Sequence, residues 1–348
     1  DVNAIHKHMS LGIFNEQRTG KTPTSLVAMS TATEGRILII ATASMIYKWQ
    51  DEAKVWTDRQ AYVYEGTPKQ REQILQSFID DDTSILVISY GLVKSTKSYT
   101  GLMNTLKKIN ISGLIVDEVH RAVGRKTANF KAIRGLVKIP YRYYLTGTPA
   151  PNHPSQVWSI LTMINPDKFS SYWRFAEEFF ILEDVRLPYH VQVSKIQNPT
   201  NFLPGKEDEY VKILEEHSIM RKRKDVMPWL PVEEEPTKIR LPLTTAQQRY
   251  IKEMTEYYET EHIIVQGVLD QLLRLRQICL APELLGLKGK SPKLQWLEDY
   301  IKDYPEKSII VFSKFTQFIH LLKEKIPQFE VLVGDVATDK RNQLIKDF

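Results

Sequence analysis

The sequence predicts an α/β protein with a parallel sheet, followed by helical insertions and the beginning of a second α/β unit. From residue 1 to about residue 165, short apolar runs alternate with helical patterns, which is typical of a parallel sheet flanked by helices. The alternation stops between residues 166 and 290 and returns at residue 291. The length of 348 residues is that of about two domains, each able to bury its own core.

Four regions follow from this pattern: an α/β lobe over residues 1–165, a helical insertion with a basic block over 166–235, a helical linker over 236–290 and the start of a second lobe over 291–348. The predicted strands of the first lobe are Arg36–Ala41, Ala61–Tyr64, Ile85–Ser89, Gly113–Val116 and Tyr141–Leu145. One long helix or two are predicted between Thr245 and Leu280. The last region predicts helices over Pro292–Tyr304 and Phe315–Ile326 and strands over Ser308–Phe312 and Phe329–Val333.

A loop from Phe14 to Thr22 ends in Gly20-Lys21-Thr22, just before a predicted helix that starts at Pro23. The first turn of a helix points unpaired N–H groups and a positive dipole end at an anion. Gly20 lets the backbone approach a phosphate, Lys21 adds a cation and the Thr22 hydroxyl is a ligand suited to Mg²⁺. The loop is therefore a candidate phosphate site, and an ordinary turn is the alternative.

This loop departs from the pattern Gly-x-x-x-x-Gly-Lys-Thr at its first glycine, where Asn15 stands. Arg18 stands where a second, mid-loop glycine is common, and it adds a cation and bulk. The candidate ATP-binding residues are Arg18, Thr19, Gly20, Lys21 and Thr22.

Two further strands end in polar residues. The strand that finishes at Val116 delivers Asp117 and Glu118 to its carboxyl end, where ligands of open α/β sheets bind. Asp117 is predicted to hold Mg²⁺ with Thr22, and Glu118 to orient or deprotonate the attacking water. The strand over Tyr141–Leu145 ends in Thr146-Gly147-Thr148-Pro149. Each piece alone is better explained as a strand end with a polar turn, but the three in this order favour one catalytic site with Lys21, Asp117 and Glu118.

Gly-Lys-Thr, Asp-Glu-x-His and Leu-Thr-Gly-Thr-Pro resemble motifs I, II and III of the superfamily two helicases, and the Swi/Snf-type ATPases in particular. The resemblance implies two RecA-like lobes, the second incomplete, with ATP and Mg²⁺ in the cleft between them. It implies hydrolysis of ATP coupled to movement along duplex DNA, usually without strand separation. It also implies that the nucleotide is linked to the DNA track by His120, Thr146, Gly147 and Thr148.

Candidate DNA contacts come from two further similarities to that family. The run from Ala41 to Glu52 is similar to motif Ia, in which Ser44 and Lys48 lie at the start of a helix that meets a DNA phosphate. A plain N-cap role for Ser44 is the alternative. Ser89 and Tyr90 end their strand as motif Ib does, and a backbone contact with DNA or a simple turn both fit.

The insertion carries two ambiguous features. Its aromatic residues, Phe169 to Phe180, favour a small helical core over a base-stacking surface. The block from Met220 to Val226 has four adjacent cations and is similar to one that the family carries between its lobes. Those cations fit either phosphate contacts or a solvated face. Leu273 to Pro282 is similar to a family segment that packs between the lobes.

Composition excludes several classes of protein. The sequence is 42% hydrophobic and 26% charged, which is typical of a folded soluble protein. Its net charge of +5 suits a polyanionic partner without requiring one. Cys279 is the only cysteine, so no intrachain disulfide forms and a structural zinc site is disfavoured. No apolar run reaches the ~20 residues of a membrane span. We expect the protein to lie in the cytoplasm of a bacterium or viral host, or in a nucleus. We also expect it to be a monomer.

The sequence stops at Phe348, partway through the predicted second lobe, so motifs V and VI of the family are expected beyond it. Arginines like those of motif VI are worth ~10³ to 10⁵ in rate, and residues 1–348 alone are expected to bind ATP but hydrolyse it slowly. Two alternatives remain. One is a strand-separating helicase or restriction-type motor, and the other is a nucleotide-gated scaffold that binds DNA or protein with little turnover.

Overall fold

The structure is a computed structural model that describes residues 2–93, 100–185, 196–229, 235–260, 266–336 and 338–348. The chain forms two compact units, unit 1 over residues 1–232 and unit 2 over residues 233–348. Unit 1 therefore contains both the predicted first lobe and most of the predicted insertion. Among the described residues, no helix is long and apolar enough to cross a membrane.

Unit 1 is organised around a seven-stranded sheet in which every described pair of strands is parallel. Its strands are β1 (Ser10–Ile13), β2 (Arg36–Ala41), β3 (Ala61–Val63), β4 (Ile85–Ser89), β5 (Ile111–Val116), β6 (Tyr141–Leu145) and β9 (Ser218–Ile219). Their spatial order is β3-β4-β2-β5-β6-β1-β9. A separate antiparallel pair is formed by β7 (Phe180–Val185) and β8 (Ile196–Phe202).

Helices cover both faces of the sheet. In unit 1 they are α1 (Val2–Ile5), α2 (Lys21–Ala32), α3 (Ile46–Trp56), α4 (Pro68–Asp80), α5 (Tyr90–Val93), α6 (Thr100–Leu106), α7 (Ala128–Arg134), α8 (Trp158–Ile164), α9 (Tyr172–Phe179), α10 (Glu207–His217) and α11 (Arg223–Val226). In unit 2 they are α12 (Thr245–Thr260), α13 (Gln266–Leu280), α14 (Pro292–Asp303), α15 (Thr316–Lys325) and α16 (Thr338–Asp347). Short 3₁₀ helices occupy Val119–Ala122, Pro154–Val157 and Pro282–Leu285.

The central strands are almost wholly apolar because both of their faces are buried. Alternate residues of β2 belong to different core clusters: Leu38 and Ile40 pack on one side of the sheet, and Ile37 and Ile39 on the other. Gly113 in β5 permits close packing of α2, since a Cβ there would lie 2.6 Å from the Met29 sulfur. Burial on two faces explains why these strands could be predicted from continuous apolar runs.

Hydrogen bonds from Arg59 connect the segments at the amino-terminal ends of the strands. The Arg59 guanidinium donates to the carbonyls of Ser30, Glu34, Gly35 and Thr83 and to that of Thr33. These carbonyls belong to the end of α2 and to the segments that lead into β2 and β4. One planar side chain with several N–H donors therefore joins three elements, a role that a lysine ammonium does not fill.

The strand predictions for the first lobe are confirmed, with end shifts at β3 and β5. The insertion is partly helical, as predicted, and its aromatic rings form a buried core that includes Phe175, Phe179 and Phe180. Trp173 is an exception and lies exposed. The β7–β8 pair was not predicted from the sequence, because Pro199 and the polar residues beside it hide the strand pattern.

Unit 2 has a small core in which α14 and α15 bury Leu294, Leu297, Phe318 and Leu322. The two predicted helices are confirmed, but the predicted strands Ser308–Phe312 and Phe329–Val333 are wrong. Those residues form no strand, and Phe312 is 90% exposed. A strand is stabilised by hydrogen bonds to a neighbouring strand, and the described part of unit 2 contains none.

Candidate functional site

The candidate residues lie where neighbouring parallel strands end. β5, β6 and β1 are adjacent in the sheet, and they lead into Asp117, Thr146 and the phosphate loop, respectively. Carboxyl ends of parallel strands share one edge of a sheet, and ligands of open α/β sheets bind there. The structure thus brings the three predicted motifs to one edge, although they are far apart in the sequence.

The phosphate loop turns into α2 through two residues in the left-handed region. Gly20 has φ 81° and ψ 27° and precedes the helix, which begins at Lys21 rather than at Pro23. Arg18 has φ 64°, a conformation that costs a residue with a side chain about 1–2 kcal/mol. The Thr19 hydroxyl closes the turn by donating to the Glu16 carbonyl at 2.6 Å.

The Lys21 ammonium lies under this loop. It donates to the carbonyls of Asn15 at 2.9 Å and of Glu16 at 3.0 Å. Burial lowers the pKa of Lys21, and the charges of Glu118 and Asp117 oppose that change. The charge of the Lys21 ammonium therefore interacts with the charges of Asp117 and Glu118, as a phosphate and metal site requires.

Asp117 is only 8% exposed, and both of its carboxylate oxygens accept hydrogen bonds. The indole N–H of Trp49 donates to Oδ2 at 2.9 Å, and the backbone N–H of Glu118 donates to Oδ1 at 3.0 Å. Burial raises the pKa of Asp117, while the bond from Trp49 acts in the opposite direction. A cation beside Asp117, such as Mg²⁺ or Lys21, would favour its ionised form.

Glu118 is in the left-handed region, with φ 48° and ψ 49°. Its carbonyl accepts hydrogen bonds from the Arg121 N–H at 3.0 Å and from the Tyr90 hydroxyl at 3.2 Å. The same hydroxyl donates to the Asp117 carbonyl at 2.7 Å. Left-handed residues other than glycine persist only where their surroundings hold them, and they cluster at active sites.

Asp117 and Glu118 form an acidic pair, and a hydrogen-bonded chain joins this pair to the end of β6. His120 Nδ1 lies 3.1 Å from Glu118 Oε2 and 2.9 Å from the Thr146 hydroxyl. That hydroxyl accepts a bond from the Thr148 N–H at 3.0 Å, and the Thr146 N–H donates to the Ile13 carbonyl at 3.1 Å. Three of the predicted coupling residues are therefore in contact with one another.

Gly147, the fourth predicted coupling residue, follows Thr146 next to the phosphate loop. A Cβ at this position would lie 3.7 Å from the Asn15 carbonyl and 3.8 Å from the Gln17 side chain. The end of β6 and the loop after β1 are thus close together, and a Cβ at residue 147 would make ordinary van der Waals contacts with the loop.

The predicted DNA contacts lie at the ends of β2 and β4. Ser44 and Lys48 are exposed, and Ser44 is not the N-cap of α3, because that position is Met45 and it makes no side-chain cap bond. Ser89 is half-buried at the end of β4. Tyr90 is buried and its hydroxyl is bonded to the acidic pair, so a DNA contact at Tyr90 stays a prediction for the backbone only.

Sequence reasoning missed the roles of Trp49 and Tyr90 as side chains that hold Asp117 and Glu118. It also missed a contact between Glu16 and the basic block, where the Arg223 N–H donates to Glu16 Oε2 at 2.6 Å. The available signal for Trp49 was its position one turn after Ile46, on the buried face of α3, since a buried indole N–H needs an acceptor.

The donor set suits Mg²⁺ with a nucleotide and does not suit a metal held by protein alone. Among the described residues, no group of three or more His, Cys, Asp or Glu side chains is placed to bind a metal ion. Mg²⁺ is usually bound by one or two carboxylates, water and substrate phosphates. Asp117, a buried carboxylate at the end of β5, fits that requirement, and the Thr22 hydroxyl in the first turn of α2 stays a predicted second ligand.

Comparison with known proteins finds a matching family. The family model of the SNF2-related domain matches residues 9–284. The probable ATP-dependent DNA helicase CHR23 of Arabidopsis thaliana is 25% identical over 97% of this chain and 33% of its own length. Chromodomain-helicase-DNA-binding protein 6 of Homo sapiens is 29% identical over 84% of this chain and 10% of its own length.

A solved SWI2/SNF2 ATPase core of Sulfolobus solfataricus in complex with double-stranded DNA has the same fold. The TM-score is 0.50 at 22% identity, over 100% of this chain and 72% of that one. The chain spans a third or less of the two curated relatives named above.

Proposed function

Because the chain belongs to the family of SNF2-related domains, we propose that it binds ATP and takes part in DNA-dependent ATP hydrolysis that drives movement along duplex DNA. The observation that supports this function most strongly is that the adjacent strands β5, β6 and β1 end at one edge of the sheet, which brings the loop that carries Lys21 to the same edge as Asp117 and Glu118. A cation under a glycine-led helix start, next to two acidic side chains, is the arrangement that a triphosphate and its metal need.

Each residue of the site has a distinct role in this proposal. The first N–H groups of α2 and the Lys21 ammonium bind the phosphates, and Lys21 keeps two of its N–H bonds on loop carbonyls. The Thr22 hydroxyl and Asp117 would hold Mg²⁺, which would neutralise charge on the transferred phosphoryl group. The Glu118 carboxylate, held by His120 Nδ1, orients the attacking water and accepts its proton.

DNA is proposed to bind along the same edge of the sheet, beside the nucleotide. The candidate contacts Ser44, Lys48 and Ser89 follow β2 and β4, and β2 is the direct neighbour of β5. One half of the edge would therefore contact the DNA backbone and the other half the phosphates. A monomeric state, an intracellular location and slow hydrolysis by residues 1–348 alone stay predictions.

The hydrogen-bonded chain of His120, Thr146 and Thr148 runs from the end of β5 to the end of β6, on the nucleotide half of this edge. It contacts Glu118 at one end and the backbone beside the phosphate loop at the other. A change at the γ-phosphate that moves Glu118 would therefore also move the end of β6. We propose that this chain couples the state of the nucleotide to DNA binding.

Nucleotide binding is tested by titrating a fluorescent ATP analogue with Mg²⁺ into the wild type and the Lys21→Ala variant. The variant should bind at least about tenfold more weakly, since a buried charge-assisted contact to phosphate is lost. Lys69→Ala, an exposed lysine on α4, is the matched control and should bind like the wild type. Equal affinity for all three proteins would refute the proposed site.

The rate of ATP hydrolysis by the complete protein should then be measured without nucleic acid and with single-stranded DNA, duplex DNA and RNA in turn. Duplex DNA is expected to give the largest stimulation, and Glu118→Gln to abolish turnover while nucleotide binding persists. Displacement of a triplex strand without unwinding of a duplex supports translocation. Unwinding would instead favour a strand-separating helicase, and nucleotide binding without stimulated turnover would favour a scaffold.

A further inference from the structure

The segment that follows α10 runs alongside the phosphate loop. We call residues 218–223 the strap. Gly12 pairs with Ser218 and Ile13 with Ile219 in the parallel ladder of β1 and β9. The ladder continues beyond the strands, because the Phe14 N–H donates to the Ile219 carbonyl at 2.8 Å and the Glu16 N–H donates to the Arg221 carbonyl at 2.9 Å.

Glu16 is the residue at which this ladder reaches the phosphate loop. Its carboxylate accepts the Arg223 N–H at 2.6 Å, and its N–H donates to the strap at Arg221. Its carbonyl accepts bonds from the Lys21 ammonium at 3.0 Å and from the Thr19 hydroxyl at 2.6 Å. One residue therefore connects the strap to the lysine that is proposed to bind phosphate.

We propose that Glu16 is a positioning residue that couples the nucleotide to the strap, so that ATP affinity depends on where the strap is held. This inference rests on the proposed function, because it concerns the same phosphate loop. The strap continues into α11, and unit 2 begins in the sequence at Glu233. The strap thus lies in the last part of unit 1, shortly before unit 2 begins in the sequence.

The coupling acts in both directions. If a bound triphosphate draws the loop into one position, it also fixes the Glu16 carbonyl and carboxylate, and thereby the strap. Linkage then requires that any event that holds the strap in that position raises the affinity for the triphosphate by the same factor. The strap also carries two cationic residues, Arg221 and Arg223.

A proline at residue 223 removes the backbone N–H that donates to the Glu16 carboxylate. Arg223 is the first residue of α11, where a proline is tolerated. Lys222 before it has φ −86° and ψ 140°, a conformation that a residue preceding proline favours. Arg223→Pro therefore fits the backbone, and Arg223→Ala is its matched control, because alanine removes the same side chain but keeps the N–H.

Two measurements are made on the whole chain with Mg²⁺ and ATP: the dissociation constant, and hydrogen–deuterium exchange of peptides that cover residues 10–22 and 218–226. In the wild type and in Arg223→Ala, ATP should slow exchange in both peptides. In Arg223→Pro the affinity should fall roughly tenfold, the size expected for one charge-assisted hydrogen bond, and ATP should slow exchange only in residues 10–22. Glu16→Ala should match Arg223→Pro, and Glu16→Gln should recover part of the affinity because its amide oxygen still accepts a bond.

The outcomes separate this inference from the proposed function. If the wild type does not bind ATP, the function itself fails and the strap has no nucleotide to sense. If the wild type binds ATP but Arg223→Pro and Arg223→Ala have equal affinities, and ATP leaves exchange at residues 218–226 unchanged, only the role of Glu16 is refuted. Should Glu16→Ala not fold, the proline and alanine pair at residue 223 still decides the question.

Discussion

The hydrogen bond from Trp49 to Asp117 gives a prediction that the structure makes quantitative. Trp49 is 0% exposed, and its N–H donates to the Asp117 carboxylate at 2.9 Å. Replacing Trp49 with Phe removes this bond together with part of a buried ring. Trp158→Phe is the matched control, because Trp158 is 5% exposed and its indole N–H has no hydrogen-bond partner among the described residues.

Both variants lose the same atoms from the core, so their costs for ring removal are similar and largely cancel in the difference. A hydrogen bond to a buried charged group contributes about 1.5–3 kcal/mol. Trp49→Phe should therefore be less stable than Trp158→Phe by about that amount. The assay is urea unfolding followed by far-ultraviolet circular dichroism, which does not depend on tryptophan emission.

The pH dependence provides a second test of the same bond. Burial raises the pKa of Asp117, and the Trp49 bond opposes that rise, so Trp49→Phe should raise the pKa further. A carboxyl whose pKa is raised on folding loses stability as the pH rises from its unfolded pKa to its folded pKa. The gap between the two variants should therefore widen over the pH interval between the folded pKa of Asp117 in Trp158→Phe and the higher one in Trp49→Phe, and stay constant above it. As the pH falls, Mg²⁺-dependent ATP binding should also be lost at a higher pH in Trp49→Phe than in the wild type.

Two results would refute this reasoning. The first is equal destabilisation of the Trp49→Phe and Trp158→Phe variants, which would mean that the hydrogen bond adds nothing beyond ring packing. The second is an unchanged pH midpoint for nucleotide binding in Trp49→Phe. Either result would remove Trp49 from the set of side chains that hold the acidic pair.

Three further predictions concern the loop, the amino-terminal edge and the coupling chain. Arg18→Gly should raise the free energy of unfolding by about 1 kcal/mol, since it relieves a residue at φ 64°, whereas Gln17→Gly should not. Arg59→Lys should lower the melting temperature, with a loss of about 2 kcal/mol, because an ammonium cannot reach carbonyls of three elements. Thr146→Val should leave ATP binding within about twofold but reduce stimulation by duplex DNA at least about tenfold, because His120 loses its hydrogen bond to the end of β6.

Each of these has a result that contradicts it. A loss of stability in Arg18→Gly would show that the arginine side chain contributes more than its backbone costs. A melting temperature for Arg59→Lys equal to that of the wild type would mean that the carbonyls are satisfied by water instead. Full stimulation by DNA in Thr146→Val would exclude the His120 contact from coupling. Thermal unfolding measures the first two, and the steady-state ATPase rate measures the third.

Much of unit 1 could be predicted because a buried parallel strand has an apolar sequence over its whole length. β2, β4 and β6 have the predicted bounds, and the polar residues that follow β5 and β6 lie together as expected. β1 and β9 were missed, since four and two residues are too few to give a pattern. Their pairing is decided by contacts with β6 and with each other.

Contacts that span long sequence separations could not be predicted in the same way. Trp49 and Asp117 are 68 residues apart, and Arg223 and Glu16 are 207 apart. No local pattern encodes such pairs, because they depend on which strands become neighbours. The failed strands of unit 2 show the same limit from the other side: Ser308–Phe312 has a suitable sequence but no partner strand in the described residues.

The hydrogen bonds that Arg59 donates to backbone carbonyls have a consequence for engineering this protein. It fastens the entrances of β2 and β4, whereas the acidic pair and the phosphate loop occupy the exits of the strands. Substitutions around Arg59 that raise the melting temperature should therefore leave the rate of ATP turnover unchanged. Substitutions at the exits of the strands are expected to change both the stability and the turnover rate. A set of substitutions confined to the loops before β2, β3 and β4 is therefore the first place to search for a more thermostable variant.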